Sequence, residues 1–143
     1  DWQIIEDALG LTNISHLRDR SVTSLSGGER TLVMIARCLA GRSGLLLADE
    51  PVTGLDPRHQ IGIIETLLGS INNKTGVVMV LHDLTLAARY CTRLILINKG
   101  RIAAEGNPAS VLTPENLANV YGIEASLREI DGQALVVCKD VMD

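Results

Sequence analysis

Leu25-Ser26-Gly27-Gly28-Glu29 opens the apolar-periodic stretch of residues 31–40, and its reading decides the fold. The run joins a hydrophobic residue, a hydroxyl, two glycines and a carboxylate. Glycines without a Cβ let a backbone come close to a ligand. A helix starting just after them aims unpaired N–H groups and the positive end of its dipole at an anion. Ser26 adds a hydroxyl donor. On these residues alone two readings stand: a phosphate-sized anion site, or a Ser-Gly-Gly turn with a capped helix behind it.

The residues downstream favour the first. Residues 45–48 are an apolar run that ends in Asp49-Glu50-Pro51, which reads as a buried strand stopped by two acids and a proline. Gly54-Leu55-Asp56-Pro57 is a turn followed by a proline suited to the first position of a helix. Residues 77–81 form a second β-branched run, with His82-Asp83 directly behind it. Taken in order, these motifs resemble the second half of an ATP-binding cassette (ABC) ATPase. Residues 25–29 match the family's signature loop, 45–50 its Walker B strand and catalytic glutamate, 53–56 its D-loop, and His82 its switch histidine.

The fold expected is α/β: part of a P-loop NTPase (ABC ATPase) fold, with a parallel sheet, flanking helices and C-terminal β-hairpins. Helices are expected at residues 2–9, 29–39, 57–70 and 84–91. Strands are expected at 45–48 and 77–81, with a polar loop at 72–76. Residues 94–98 and 101–105 read as a hairpin over Lys99-Gly100, and Thr113 caps a helix that has Pro114 at its first position. The tail, residues 125–138, holds two strand-like runs around Asp131-Gly132. Residues 1–123 are read as the C-terminal part of the nucleotide-binding domain that the resemblance implies, and 124–143 as a β-hairpin extension of the same domain.

The helix at 57–70 joins the two central strands, and a strand-helix-strand unit of this length favours parallel pairing. Parallel pairing brings Asp49, Glu50 and His82 to one sheet edge, where open α/β sheets bind ligands. Asp49 then suits Mg²⁺, held largely through water. Glu50 suits a general base for the attacking water. His82 is read as a γ-phosphate sensor, and Ser26, Gly27 and Gly28 as a γ-phosphate clamp. Taken singly, Asp49-Glu50 also reads as a solvated acid pair, and His82 as a cap or core residue. Glu29 stands where many family members carry Gln. It brings a charge near nucleotide, which the adjacent Arg30 is expected to offset in part. The histidines His16 and His59 are read as surface residues without partners.

The resemblance implies ATP and Mg²⁺ as cofactors. It also implies that each signature loop closes over nucleotide held by a second copy of the subunit in a head-to-tail dimer, with Asp56 at that interface. Residues 82–91, 99–102, 111–115 and 120–123 are similar to the ATPase subunits of bacterial importers for iron-siderophore complexes, haem or cobalamin. Membrane permease subunits are then partners, and the cytoplasmic face of the cell membrane is the location. Two alternatives stay open: an ABC-type head of a non-transport system, and a non-catalytic partner-binding module.

No Walker A loop is legible. The nearest approach, Gly69 with Lys74-Thr75, lacks the second glycine and follows a helix instead of a strand. The chain opens on Asp1-Trp2-Gln3 without an initiator Met, so it is expected to be a piece of a longer cassette, inactive by itself. A net charge of −4 and the absence of a Lys/Arg cluster argue against a nucleic-acid surface. Three scattered cysteines, Cys38, Cys91 and Cys138, carry no metal-site spacing and read as reduced thiols. No apolar stretch approaches the roughly twenty residues of a membrane span.

Overall fold

A computed structural model describes residues 1–71 and 75–142 of the chain. They form two compact units, Asp1–Val80 and Leu81–Asp143. The expected boundary at 123/124 falls inside the second unit.

The first unit runs α1 (Trp2–Leu11), α2 (Gly27–Ala40), β1 (Leu45–Asp49), α3 (Pro57–Gly69) and β2 (Gly76–Val80). Single 3-10 turns at Ser15–Leu17 and Val22–Ser24 lie between α1 and α2. Asp1 caps α1 by accepting from the Gln3 N–H. The periodic apolar faces of α1 and α2 meet, and Ala8, Ile14, Leu17, Leu25 and Ala36 are buried there. Leu25 is thus a core residue, and it anchors the signature run to the unit's interior. α3 buries Ile63, Ile64 and Leu67 on one face, and Ser70 closes it as C-cap. β1 and β2 pair in parallel, with Leu47 opposite Val78 and Asp49 opposite Val80. The parallel pairing expected from the strand-helix-strand spacing is therefore present.

The second strand begins and ends one residue earlier than expected, so Leu81 lies outside it and Gly76 within it. Of the expected polar loop, residues 72–74 lie outside the described residues.

The second unit runs α4 (Leu84–Tyr90), β3 (Leu94–Asn98), β4 (Arg101–Gly106), α5 (Pro108–Val111), α6 (Pro114–Tyr121), β5 (Ile123–Ile130) and β6 (Gln133–Val141). Both expected hairpins form, as antiparallel β3–β4 and β5–β6 pairs. Lys99 and Gly100 turn the first at φ 49° and 73°, and Asp131 and Gly132 the second at φ 51° and 72°. Left-handed residues at both turn positions match the right-handed twist of the strands. Thr113 caps α6 by accepting from Asn116 N–H, with Pro114 in the first turn. The Thr85 hydroxyl of α4 accepts from the Val136 N–H of β6 at 3.1 Å. Ala88, Leu112, Leu117 and Ala125 form the core.

One helix was not expected from the sequence. α5 is a single turn started by Asn107, whose side chain accepts from the Ser110 N–H, with Pro108 behind it. The Asn-Pro pair was the available signal.

Candidate functional site

The signature run folds as the capped start of a helix. Ser26 is extended at φ −63° and ψ 166°, and its side chain accepts from the Glu29 N–H at 3.3 Å. The Glu29 carboxylate returns the contact, accepting from the Ser26 N–H at 2.8 Å. This reciprocal pair is a capping box. Hydrogen bonding from the Ser26 backbone N–H, and then from the Ser26 side chain, holds the Glu29 carboxyl below its ordinary range, and the charges of Arg20 and His16 add to that. The compensation expected from Arg30 is not what the structure uses. Arg30 Nη2 donates instead to the Leu25 carbonyl at 3.3 Å. The N–H groups of Gly27 and Gly28 lie in the first turn, where a helix has no carbonyl of its own to offer them.

Neither Gly27 nor Gly28 adopts a positive φ. At Gly28 the reason for glycine is space. A Cβ there would lie 2.6 Å from His59 Cδ2 and 3.1 Å from Cγ. At Gly27 a Cβ would meet only Leu55 Cδ2, at an ordinary 3.6 Å.

Asp49 is the last residue of β1 and its side chain is exposed. Glu50 follows in a left-handed conformation, φ 46°, which non-glycine residues adopt at a cost. Two bonds hold it there: Glu50 N–H donates to the Val80 carbonyl at 3.2 Å, and Thr53 N–H donates to the Glu50 carbonyl at 3.2 Å. Thr53 Oγ1 also donates to Glu50 Oε2 at 3.0 Å. Thr53 thus helps to orient the Glu50 carboxylate, a role the sequence reading did not assign. Gly54, at φ 75°, then lets the chain turn toward α3.

Asp56 caps α3. Its Oδ1 accepts from His59 N–H at 3.1 Å, and Oδ2 lies 2.6 Å from His59 Nδ1. Hydrogen bonds from the His59 ring and backbone hold the Asp56 carboxyl below its usual value. This corrects the reading of His59 as a surface residue without partners. The i,i+3 spacing behind an N-cap aspartate was the signal that could have found it. His82 lies in the second unit, where it is exposed. The cap of α4 is Asp83, which accepts from Leu86 N–H at 2.9 Å, so His82 is neither cap nor core.

Asp49, Glu50, Asp56 and the signature run all belong to the first unit, at the ends of β1, α3 and α2. Among the described residues no group of three or more His, Cys, Asp or Glu side chains is placed to hold a metal. A lone exposed carboxylate such as Asp49 fits Mg²⁺ that takes most of its ligands from phosphate and water.

A family model described as ABC transporter matches residues 1–53. The hemin import ATP-binding protein HmuV of Bordetella avium is 43% identical over 132 residues, covering 87% of this chain and 51% of that protein. The chain is thus related to the ATPase subunits of ABC transporters. The HmuV protein of Bordetella parapertussis is 40% identical over 149 residues, covering 96% of this chain and 57% of that protein. An inward-facing structure of a putative metal-chelate type ABC transporter superimposes with a TM-score of 0.83 at 28% identity, covering 99% of this chain and 57% of that one. The chain spans about half the length of the curated relatives it matches. No helix among the described residues is long and apolar enough to cross a membrane.

Proposed function

We propose that this chain is the signature and Walker B portion of the ATP-hydrolysing subunit of an ABC importer for haem or a related iron complex or cobalamin. The observation that carries the proposal is the constrained pair at the end of β1. Asp49 ends the strand, and Glu50 is held at a positive φ with its carboxylate accepting from Thr53. Backbone strain kept at one carboxylate beside another is characteristic of sites where a side chain must be aimed.

In this reading Glu50 takes the proton of the attacking water and Asp49 holds Mg²⁺, which supplies charge neutralisation at the phosphates when bound. His82 contacts the γ-phosphate. Ser26, Gly27 and Gly28 present a hydroxyl and N–H groups to the γ-phosphate held by a second copy of the subunit, with Glu29 shaping that clamp and Asp56 at the dimer interface. Permease subunits at the cytoplasmic face of the membrane couple the cycle to uptake. The names of the HmuV relatives and of the metal-chelate type transporter support the importer assignment and its ligand class.

The test is ATP turnover by the full-length protein that contains this chain. Glu50→Gln should retain nucleotide binding and lose about 10²–10⁴-fold in hydrolysis. Near-normal turnover by that variant would remove Glu50 as the base. Uptake of radiolabelled haem into proteoliposomes with the cognate permease, against cobalamin and ferric-siderophore competitors, separates the ligands.

A further inference from the structure

The double glycine and the turn that carries Asp56 are about thirty residues apart in sequence, yet they share one histidine. His59 is fixed from both sides. Its backbone N–H and its Nδ1 both engage the Asp56 carboxylate, at 3.1 Å and 2.6 Å. Its Cβ, Cγ and Cδ2 edge covers Gly28, leaving 2.6 to 3.4 Å for any added Cβ. Carbon atoms in ordinary contact stand at roughly 3.5–4.0 Å. A Cβ at position 28 would therefore force the ring out of its present place. An ionised carboxylate only accepts, so Nδ1 carries the proton, which sets the ring's orientation.

We propose that His59 is a positioning residue that locks the Asp56 turn to the first turn of the signature helix, so that Gly27, Gly28 and Asp56 are presented to a partner subunit as one rigid surface. This rests on the ABC ATPase reading above. His59 touches no reacting atom in it. The ring acts by fixing the distance between two elements that must engage a second molecule together. Small misplacements of such elements are costly, since a shift of about 1 Å can cost 10²-fold in rate.

The experiment is a double-mutant cycle in the full-length protein, with Gly28→Ala, His59→Ala and the pair, and His59→Gln as the conservative variant. Steady-state kcat and KM for ATP are read alongside monomer nucleotide affinity and melting temperature. His59→Ala should lower kcat about tenfold while KM and monomer affinity stay within about twofold. His59→Gln keeps a donor for Asp56 and should recover much of the loss. Gly28→Ala should be severe with His59 present and much milder in the His59→Ala background, in kcat and in melting temperature alike.

Equal Gly28→Ala penalties in both backgrounds would overturn the proposal. So would a His59→Ala variant with wild-type kcat. A full-length wild type that hydrolyses no ATP overturns the functional reading and the role assigned to His59 with it. The melting cycle reports the His59–Gly28 contact independently of turnover, so the two failures are told apart.

Discussion

Thr53 Oγ1 reaches Glu50 Oε2 across 3.0 Å because Glu50 leaves β1 in a left-handed conformation. A strand continued past Asp49 would alternate sides and carry position 53 away from position 50. The turn brings them together, and Pro51 behind Glu50 cannot prolong the ladder. The Glu50 carboxylate thus accepts from the next polar residue of its own chain.

Removing that orienting bond should slow catalysis without touching nucleotide affinity. In the full-length protein, Thr53→Val should lower kcat about tenfold, the scale of one hydrogen bond to a charged group. In a Glu50→Gln background the same change should have no further effect. A full additional loss there would show that Thr53 acts other than through Glu50.

Ser26→Arg should block ATP-driven dimerisation and spare nucleotide binding by the single subunit. Ser26 holds the capping box at the exposed start of α2. A long cation there breaks the cap and fills the space before the Gly27 and Gly28 N–H groups. Light scattering of a Glu50→Gln background with ATP reads dimerisation, and titration of the monomer reads affinity. Normal dimerisation, or lost monomer binding, would remove the signature assignment.

Acid should loosen α2 and α3 from their N-termini. Glu29 and Asp56 both titrate below their ordinary values in the folded chain, because each is held by hydrogen bonds at a helix start. A carboxyl with a depressed folded pKa stabilises fully above its unfolded pKa, and the contribution is lost as pH falls through the folded value. Amide protection at Ser26 and His59, whose N–H groups donate to these carboxylates, should therefore decline as pH falls below the usual carboxylate range. Glu29→Gln accepts the same bond and does not titrate, so it should keep protection at position 26 into acid. Unchanged wild-type protection across that range would show that the charged caps contribute nothing.

The parallel pair leaves one apolar face open. Leu45 and Leu47 of β1 and Val78 and Val80 of β2 are 51%, 72%, 54% and 48% exposed, while Leu46 between them is buried at 7%. Parallel strands are normally covered on both faces. The isolated chain should self-associate and bind a hydrophobic dye, and Leu47→Lys with Val78→Lys should reduce both. A dye-silent, monodisperse wild-type monomer by light scattering would contradict this.

Local signals account for what was legible. Thr113-Pro114 starts α6, Lys99-Gly100 and Asp131-Gly132 turn the two hairpins, and Ser26 with Glu29 begins α2, each within three residues of chain. α5 escaped because one turn is too short to show a period, although Asn107-Pro108 marked its start. His59 escaped for another reason. Its bond to Asp56 is local, but a histidine behind an N-cap reads as solvated until its ring is seen to have a second neighbour.

The sequence by itself determined the element order apart from α5, the Thr113 cap, the hairpin turns and the family resemblance, because these depend on residue type and on neighbours one to four positions away. The tertiary structure decided that Gly28 exists to make room for His59, that Thr53 aims Glu50, and that Arg20 and His16, not Arg30, favour the Glu29 charge. The first and last of these join separate elements, and the second depends on the left-handed turn at Glu50. Periodicity records which face of an element is apolar. It does not record which atom of another element, or of a strained turn, comes within 3 Å of it.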